Sequence, residues 1–297
     1  MSVADRKLAL SSGVASAVLA NLFLGLSSLY WKAFGYQDAL IVVSYRAALS
    51  LFTVALVLYV FRSRFSSAQR LTVPLFMIHC VASILLAVNW YSFIWASIHG
   101  RVLESGLGYL IAPLISIVVG VVVYKEALSV IRALGILVIV ISVISLMIVS
   151  TELDAKTYLL IGSTWGAYIC LKKMTTLDVF YGLLVESAVI SFLCMLLLGF
   201  YSSSIFIPVD FSRFQVVMLM GCGLVSIIPL ALFSFAAKKM PLTMIGLLQF
   251  VLPVTQFAVG TLIYQQTLSF ATFTVFVLVV FAVTIVMLES VSYKRFK

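Results

Sequence analysis

Two charged residues lie inside long apolar runs of this 297-residue chain. Arg46 lies about eight residues into one run and Glu186 about eight residues into another, from opposite ends. A charge within an apolar span is expensive unless it is paired or hydrated, so each residue marks an ion pair or an internal cavity. Two interpretations stay open: a structural pair of Arg46 with Glu186 or Glu104, or the handling of a substrate or proton. We expect Arg46 to contact substrate or a gate, with Glu186 as its partner in the empty state.

Other polar and aromatic side chains lie deep in the runs and offer hydrogen-bonding groups and flat apolar faces. The predicted substrate-binding set is Asn21, Arg46, Asn89, Trp90, Tyr109, Trp165, Glu186 and Gln249. Tyr30 and Trp31, near the end of a run, are expected to be interfacial anchors instead. His79 stands alone among apolar neighbours in sequence and is interpreted as a packed core histidine.

Three further residues are predicted to act in gating or coupling. Glu104 opens an apolar run and either forms a gating pair with Arg101 or simply stabilises a helix N-terminus. Pro113 and Pro253 lie inside two runs, where each removes a backbone hydrogen bond and kinks the helix. These kinks are interpreted as hinges or as sources of free carbonyl groups facing a cavity.

The sequence offers no chemistry for catalysis. The four cysteines (Cys80, Cys170, Cys194 and Cys222) fall inside apolar runs without a Cys-x-x-Cys motif, and the two histidines are scattered. We therefore expect no catalytic residue, no metal site, no cofactor and no enzyme activity. A nucleotide-binding loop of the Gly-x-x-x-x-Gly-Lys-Ser/Thr type is also absent from the sequence.

The elements that must position these residues are membrane helices. The chain is 64% hydrophobic and 10% charged, with a mean hydropathy of +1.22, which excludes an ordinary soluble domain. Ten apolar runs are each close to the ~20 residues that a helix needs to cross a bilayer. They cover roughly 8–30, 39–61, 73–97, 105–124, 128–149, 157–174, 178–201, 213–237, 241–264 and 269–289. Small-residue stripes occur in the first and sixth runs and predict close helix packing: Gly13, Ala17, Asn21 and Gly25, and Gly162, Gly166 and Cys170.

The net charge of +9 reports orientation because it lies mostly in short loops. One set of alternate connections holds fourteen Lys and Arg residues and the other holds four. Cytoplasmic loops retain positive charge, so both termini are predicted to be cytoplasmic. Nucleic acid is not an expected partner.

The two halves of the chain align with each other at one constant offset and without a gap. This alignment pairs Lys32 with Lys172, Asp38 with Asp178, Gly106 with Gly246, Pro113 with Pro253, Gly120 with Gly260, and Arg46 with Glu186. The repeating unit has five spans, and an odd number places the second copy upside down in the membrane. We predict an all-α integral membrane protein of ten helices in two inverted five-helix repeats, residues 1–150 and 151–297, an architecture typical of transporters.

Several motifs resemble the RarD-type (EamA-like) proteins of the drug/metabolite transporter superfamily. They are the stretch 89–96, which reads Asn-Trp-Tyr-Ser-Phe-Ile-Trp-Ala, the stretch 100–104 followed by Gly108-Tyr109, and Leu248-Gln249-Phe250 with Pro253 and Gln256-Phe257. Tyr30-Trp31-Lys32, Lys172-Lys173 and Tyr181-Gly182-Leu183 with Glu186 match in place as well. Departures are Tyr45-Arg46 in place of His-Arg, Leu24-Gly25 in place of Trp-Gly, and Gln265-Gln266 in place of a common Gly-Glu pair. The resemblance implies a ten-helix inner-membrane carrier with a central cavity between the repeats.

The predicted function is secondary-active or facilitative transport by alternating access through that cavity. The expected cargo is a small amphipathic metabolite or drug, such as an amino acid, an amino-acid-derived compound or a nucleoside-like compound. A channel, or a substrate-binding membrane subunit without active coupling, is the alternative. Expected partners are the substrate and membrane lipid, with or without a co-transported or exchanged ion or metabolite. The predicted setting is the bacterial inner membrane, as a multi-pass monomer or homodimer.

Overall fold

A computed structural model describes residues 3–35, 37–62, 71–200 and 211–292, and within these ranges the chain is helical and contains no strand. The helical segments, in chain order, are α1 (Val3–Lys32), α2 (Ala39–Val60), α3 (Val73–Ile98), α4 (Val102–Val122), α5 (Val130–Val149), α6 (Ala155–Met174), α7 (Val179–Phe200), α8 (Arg213–Lys239), α9 (Leu242–Gln249), α10 (Val251–Leu262) and α11 (Phe270–Ser292).

Within the described ranges, seven spans are long and apolar enough to cross a membrane. They lie in α1, α2, α3, α4, α7 and α8, with α9 and α10 together forming the seventh, Leu242–Leu262. Shorter apolar stretches lie in α5 and α11. The prediction of a helical multi-pass membrane protein is confirmed, and the count of ten spans stays a prediction.

Several helices begin at residues whose side chains bind the free N–H groups of the first turn. The Asp38 carboxylate accepts from the backbone N–H of Leu40 at the start of α2, at 2.8 Å. Asp154 accepts from the Thr157 N–H at the start of α6, and Ser212 forms a reciprocal capping box at the start of α8. Each cap binds N–H groups that have no carbonyl partner within their own helix.

Glycine allows α4 and α6 to approach closely. A Cβ atom at Gly108 would lie 2.7 Å from the Tyr158 carbonyl oxygen, and one at Gly162 would lie 2.7 Å from the Gly108 carbonyl oxygen. Gly166 packs against Ile115 in the same way, and Gly25 packs α1 against Thr255 of α10. The predicted packing role of the small-residue stripes is confirmed at Gly25, Gly162 and Gly166, and the last two hold α6 next to α4.

The helices of the two halves pack across each other. α1 contacts α8 and α10, while α6 contacts α3 and α4; α2 contacts α7, and α5 contacts α11. Each of these contacts joins an element of the first half to one of the second. The buried centre of the protein is therefore lined by both halves.

Two loops with the same conformation bind across the halves. The Glu126 carboxylate accepts from the first two backbone N–H groups of α9, both at 2.8 Å. The Gln266 side-chain oxygen accepts from the first two backbone N–H groups of α4, both at 3.0 Å. The residue before each, Lys125 and Gln265, has φ of 54°. The loop of each half thereby caps a helix of the other half: Glu126 caps α9, and Gln266 caps α4.

The outer surface is apolar, as lipid contact requires. Phe52, Phe281 and Phe270 expose 65%, 64% and 86% of their surface. Five of the basic residues used to predict orientation lie outside the described residues: Arg64, Arg70, Lys294, Arg295 and Lys297.

Candidate functional site

Arg46 of α2 is buried between two indole rings. Its guanidinium lies 3.9 Å from the ring centroid of Trp90 and 4.7 Å from that of Trp31. Its Nε donates to the Ser226 hydroxyl of α8 at 2.8 Å. We call these four residues the arginine cluster; they come from α1, α2, α3 and α8.

The arginine cluster leaves part of the guanidinium without a partner. The buried Nη1 atom of Arg46 has no hydrogen-bond partner, and among the described residues no carboxylate pairs with this side chain. Stacking on two aromatic faces stabilises the cation by about 0.5–2 kcal/mol per contact, but it does not satisfy an N–H donor. An anionic or carbonyl oxygen could take that place.

The expected pairing of Arg46 with Glu186 is wrong in this structure. The Glu186 Oε1 atom is bound by Lys172 Nζ at 2.9 Å and by His79 Nδ1 at 2.8 Å. Tyr168 donates its hydroxyl to Oε2 at 3.0 Å. A lysine at the end of α6 and a histidine of α3 both reach this carboxylate, so it needs no arginine.

His79 is therefore not a packed core histidine among apolar neighbours, as the sequence had suggested. It is fully buried, and its second ring nitrogen, Nε2, lies 2.8 Å from the Thr175 hydroxyl. We call His79, Glu186, Lys172, Tyr168 and Thr175 the histidine cluster. The repeat had marked Lys172 as the counterpart of Lys32, but nothing in the sequence linked it to His79.

Asn89, Tyr109 and Trp165, three members of the predicted substrate-binding set, lie together. The Asn89 amide donates to the Ile161 carbonyl oxygen at 3.1 Å, and its oxygen accepts from the Tyr109 hydroxyl at 3.3 Å. The Tyr109 ring meets the Trp165 ring edge-on, with 6.1 Å between centroids. Asn89 is also the chain neighbour of Trp90, so this group adjoins the arginine cluster.

Aromatic rings lead from the histidine cluster to the group of Asn89, Tyr109 and Trp165. Trp165 stacks on Tyr168 with centroids 5.4 Å apart, and Tyr168 hydrogen-bonds Glu186. The indole Nε1 of Trp165 is buried without a partner. One unsatisfied donor thus lies between the arginine cluster and the histidine cluster.

Asn21 and Gln249 are buried and incompletely satisfied. The Asn21 amide donates to the Ala17 carbonyl oxygen at 2.7 Å, but its oxygen has no partner. Both polar atoms of the Gln249 side chain lack a partner. Gln256, outside the predicted set, donates to the Gly25 carbonyl oxygen at 2.6 Å and leaves its oxygen free.

Trp31 differs from its expected role as an interfacial anchor. It is fully buried against Arg46, and its indole N–H has no partner. Its neighbour Tyr30 donates its hydroxyl to the Met218 carbonyl oxygen. The site also includes Ser226, which the sequence analysis missed because a serine in an apolar run usually bonds its own helix.

The predicted gating residues are arranged differently from expectation. Glu104 lies in the first turn of α4 with Gln266 Nε2 3.4 Å from its Oε2 atom. Arg101 lies 3.8 Å from Asp154 instead, with both side chains partly exposed, so the gating pair of Arg101 with Glu104 is not formed.

The two prolines do not act alike in this structure. α4 continues through Pro113, whereas the facing segment breaks between α9 and α10 at Phe250, before Pro253. A break in the helix is thus present near Pro253 and absent near Pro113, and kinks at both prolines stay a prediction. A further proline, Pro229, lies inside α8.

An apolar cavity of about 360 Å³ lies between α10 and α11, away from the arginine cluster. Its walls include Phe257, Phe273, Phe276 and Val277, and it offers almost no polar surface. Such a groove suits lipid chains rather than recognition of a polar solute.

The chain has apolar helices of membrane-crossing length around a buried polar centre. Several curated relatives of the chain are named transporters, which places it in the general class of membrane transporters. The chain is 29% identical over 295 residues to the uncharacterized transporter YojE of Bacillus subtilis, covering 95% of this chain and 96% of the relative. It is 29% identical over 250 residues to the protein RarD of Streptomyces exfoliatus, covering 82% and 78%.

Protein RarD of Escherichia coli is 23% identical over 295 residues, covering 95% of this chain and 96% of the relative. The resemblance to RarD-type transporters is thereby confirmed. A solved crystal structure shares the fold with a TM-score of 0.68 and 16% identity, covering 94% of this chain and 98% of that one. No family model matches the chain.

Proposed function

We propose that this chain is a secondary-active or facilitative transporter that moves a small amphipathic solute across the bacterial inner membrane by alternating access. The observation that carries the proposal is the set of buried polar atoms without partners. Atoms of four residues from the predicted substrate-binding set are among them: Asn21, Arg46, Trp165 and Gln249. Buried polar groups are normally paired, so such a group marks a place where water or a ligand belongs.

The chemistry of the unpaired atoms describes the solute. Arg46 and Trp165 offer donors, Asn21 offers an acceptor, and Gln249 offers both. Trp90 and Tyr109 add aromatic faces. A solute with an anionic oxygen, a hydrogen-bonding amine or amide and a flat apolar part satisfies this set, as an amino acid, an amino-acid derivative or a nucleoside-like compound does.

Alternating access rests on an inverted repeat of residues 1–150 and 151–297. Matched capping supports it, because Glu126 and Gln266 are equivalent in the repeat and bind helices that begin at equivalent positions, Leu242 and Val102. Asp38 and Asp178 likewise accept from the N–H groups two residues further on. Two halves that are alike but oppositely oriented can exchange their conformations at low energy, which permits inward-open and outward-open states.

The proposed topology has ten spans with both termini in the cytoplasm. A single cysteine replacing Lys239 is then labelled by an impermeant reagent only from the cytoplasm, and one replacing Lys156 only from outside. Both side chains are exposed. Labelling of the two positions from the same side would contradict the inverted arrangement.

Glu104, Pro113 and Pro253 are proposed to act in gating. Glu104 joins the loop cap at the start of α4, and Pro253 follows the break between α9 and α10. Replacing either proline by alanine is expected to slow transport more than it impairs folding, which the melting temperature reports. The reason is that the helix gains a rigidifying hydrogen bond.

A ligand screen followed by counterflow tests the function. Purified protein is screened for thermal stabilisation by amino acids, their derivatives and nucleosides, and the stabilising compounds are tested for uptake into proteoliposomes. Saturable uptake with counterflow supports a carrier. Non-saturable flux would indicate a channel, and binding without flux would indicate a binding subunit.

A further inference from the structure

His79 lies where the two halves of the chain meet, with both ring nitrogens engaged. It belongs to α3, and its two partners, Glu186 of α7 and Thr175 at the end of α6, belong to the second half. Both distances are 2.8 Å. The contact is fully buried at His79 and Glu186.

These partners accommodate the imidazole in either protonation state. A carboxylate only accepts, so Nδ1 carries a hydrogen toward Glu186. A hydroxyl both donates and accepts, so Thr175 donates to Nε2 when the ring is neutral. When Nε2 takes up a proton, the hydroxyl hydrogen rotates away and the Thr175 oxygen accepts. The ring therefore gains a proton without moving a heavy atom.

A proton on the ring changes the net charge of the buried histidine cluster. Lys172 binds the same Glu186 oxygen as His79, so the cluster is neutral with a neutral ring and carries a net positive charge with a protonated one. Lys238 lies near enough for its charge to interact with those of Lys172 and Asp178. The described charged groups of the other helices packed on α3 are engaged elsewhere: Lys32 over Tyr264, Arg46 in the arginine cluster, Arg62 over Tyr59 and Glu104 beside Gln266.

Tight packing keeps the ring in place. A Cβ atom at Gly182 of α7 would lie 2.9 Å from His79 Cε1. Only glycine leaves room there for the imidazole. The ring therefore stays on its line between Glu186 and Thr175.

We propose that His79 is a proton-binding site whose occupancy loosens the contact between the halves at this end of the protein. Taking up one proton from water turns a neutral buried cluster into a cationic one beside Lys172 and Lys238, and a hydrated conformation accommodates that charge better. Nearby, Lys173 donates to the Met240 carbonyl oxygen at 2.7 Å and Lys238 donates to the Leu177 carbonyl oxygen.

As a coupling device, this site rests on the proposed transport function. Two connections lead from it to the arginine cluster. One is the chain Glu186, Tyr168, Trp165, Tyr109 and Asn89, and Asn89 is the chain neighbour of Trp90. The other is α3 itself, on which Asn89 lies ten residues, or about 15 Å, beyond His79.

Histidine NMR measures proton binding without a substrate. The chain has two histidines, so selectively labelled protein in nanodiscs gives two ring signals, and His99→Gln assigns them. His99 is exposed and serves as the internal reference. We expect the His79 ring to bind a proton reversibly, with exchange on the order of microseconds to seconds, as local opening allows.

Two variants shift proton binding in opposite directions. Glu186→Gln removes the neighbouring anion and leaves Lys172, so the proton affinity of His79 is expected to fall at least about tenfold. Lys172→Gln removes the neighbouring cation, so the proton affinity of His79 is expected to rise at least about tenfold. If the two substitutions merely loosened the fold, the proton affinity of His79 would move toward that of the exposed His99 in both variants. Failure of His79 to titrate, or shifts in the same direction, would overturn the proposal.

Hydrogen exchange tests the loosening. Deuterium uptake in residues 172–178 and 236–240, corrected for the chemical exchange rate, is expected to rise as the pH falls in wild type and in His99→Gln, and to stay constant in His79→Gln. Equal behaviour of the three proteins would refute the link. Neither experiment needs a substrate. If the protein transports nothing, the proposed function fails, but the NMR and exchange results still decide whether His79 is a proton-binding site.

Discussion

Replacing Gln266 by glutamate is expected to destabilise the protein, although the matching residue of the other loop, Glu126, is a glutamate. Gln266 Nε2 lies 3.4 Å from the buried Glu104 carboxylate. In the other half, the repeat equivalent of Glu104 is Met244, which carries no charge. Gln266→Glu would therefore bring two carboxylates together, whereas Glu126 faces no such repulsion.

The size of the effect follows from the separation. Two like charges about 4 Å apart repel by about 4 kcal/mol at an effective dielectric constant of about 20. Protonating one ordinary glutamate at pH 7 costs about 3.7 kcal/mol, which limits the loss. We expect a loss of about 3 kcal/mol at pH 7 and about 1 kcal/mol at pH 5, where protonation relieves the repulsion.

Thermal unfolding in detergent, followed by tryptophan fluorescence, measures this loss. About 3 kcal/mol corresponds to a fall of about 6 °C for a chain of this size. The double variant Gln266→Glu/Glu104→Met copies the other half and is expected to recover at least about 2 kcal/mol, since it removes the repulsion. A single variant as stable as wild type at pH 7, or a double variant no better than the single, would refute the reasoning.

Three other changes have defined outcomes in the same unfolding measurement. Glu126→Ala removes two charge-assisted hydrogen bonds from the start of α9 and is expected to cost about 2 kcal/mol; a loss below about 0.5 kcal/mol would show that the cap does not hold the halves. Gly108→Ala is expected to cost about 1–3 kcal/mol, because its Cβ would meet a backbone oxygen, while Gly199→Ala, which meets nothing within 4 Å, is the neutral or stabilising control. The Thr157 hydrogen bonds hold the pKa of Asp154 below its usual range, so Asp154→Ala costs about 1 kcal/mol at neutral pH, and the difference from wild type shrinks as the pH falls below about 4; a difference that is constant down to pH 3 would contradict this cause.

Much of the architecture could be predicted from the sequence. The apolar runs predicted the helices to within a few residues, and the alignment of the two halves brought together loops that have the same backbone conformation in the structure. The burial of Arg46 was also foreseen, and Asn89 and Tyr109, which the sequence placed in one candidate set, hydrogen-bond each other. These features depend on hydropathy and spacing, which are local properties of the sequence.

Pairing between helices could not be predicted in the same way. The choice of Lys172 and His79 over Arg46 as partners of Glu186 depends on how α3, α6 and α7 are rotated about their axes. The long stem of Lys172 reaches inward from the end of α6, a position that suggests a loop charge. The burial of Trp31 likewise depends on its contact with α2, since a tryptophan near a helix end fits an interface equally well.

Binding measured on Arg46 variants decides whether the arginine cluster holds the substrate. Arg46→Gln removes the donor that has no partner, Arg46→Lys keeps the charge without the planar stack, and Arg62→Gln is the exposed control just beyond the end of the same helix. With a compound found in the screen, we expect affinity and proteoliposome uptake to fall at least about tenfold in Arg46→Gln, by less in Arg46→Lys, and not at all in Arg62→Gln. Melting temperatures measured without the compound separate this effect from misfolding. Arg46→Gln protein that melts like wild type and still binds and transports the compound as wild type does would contradict a substrate site at Arg46.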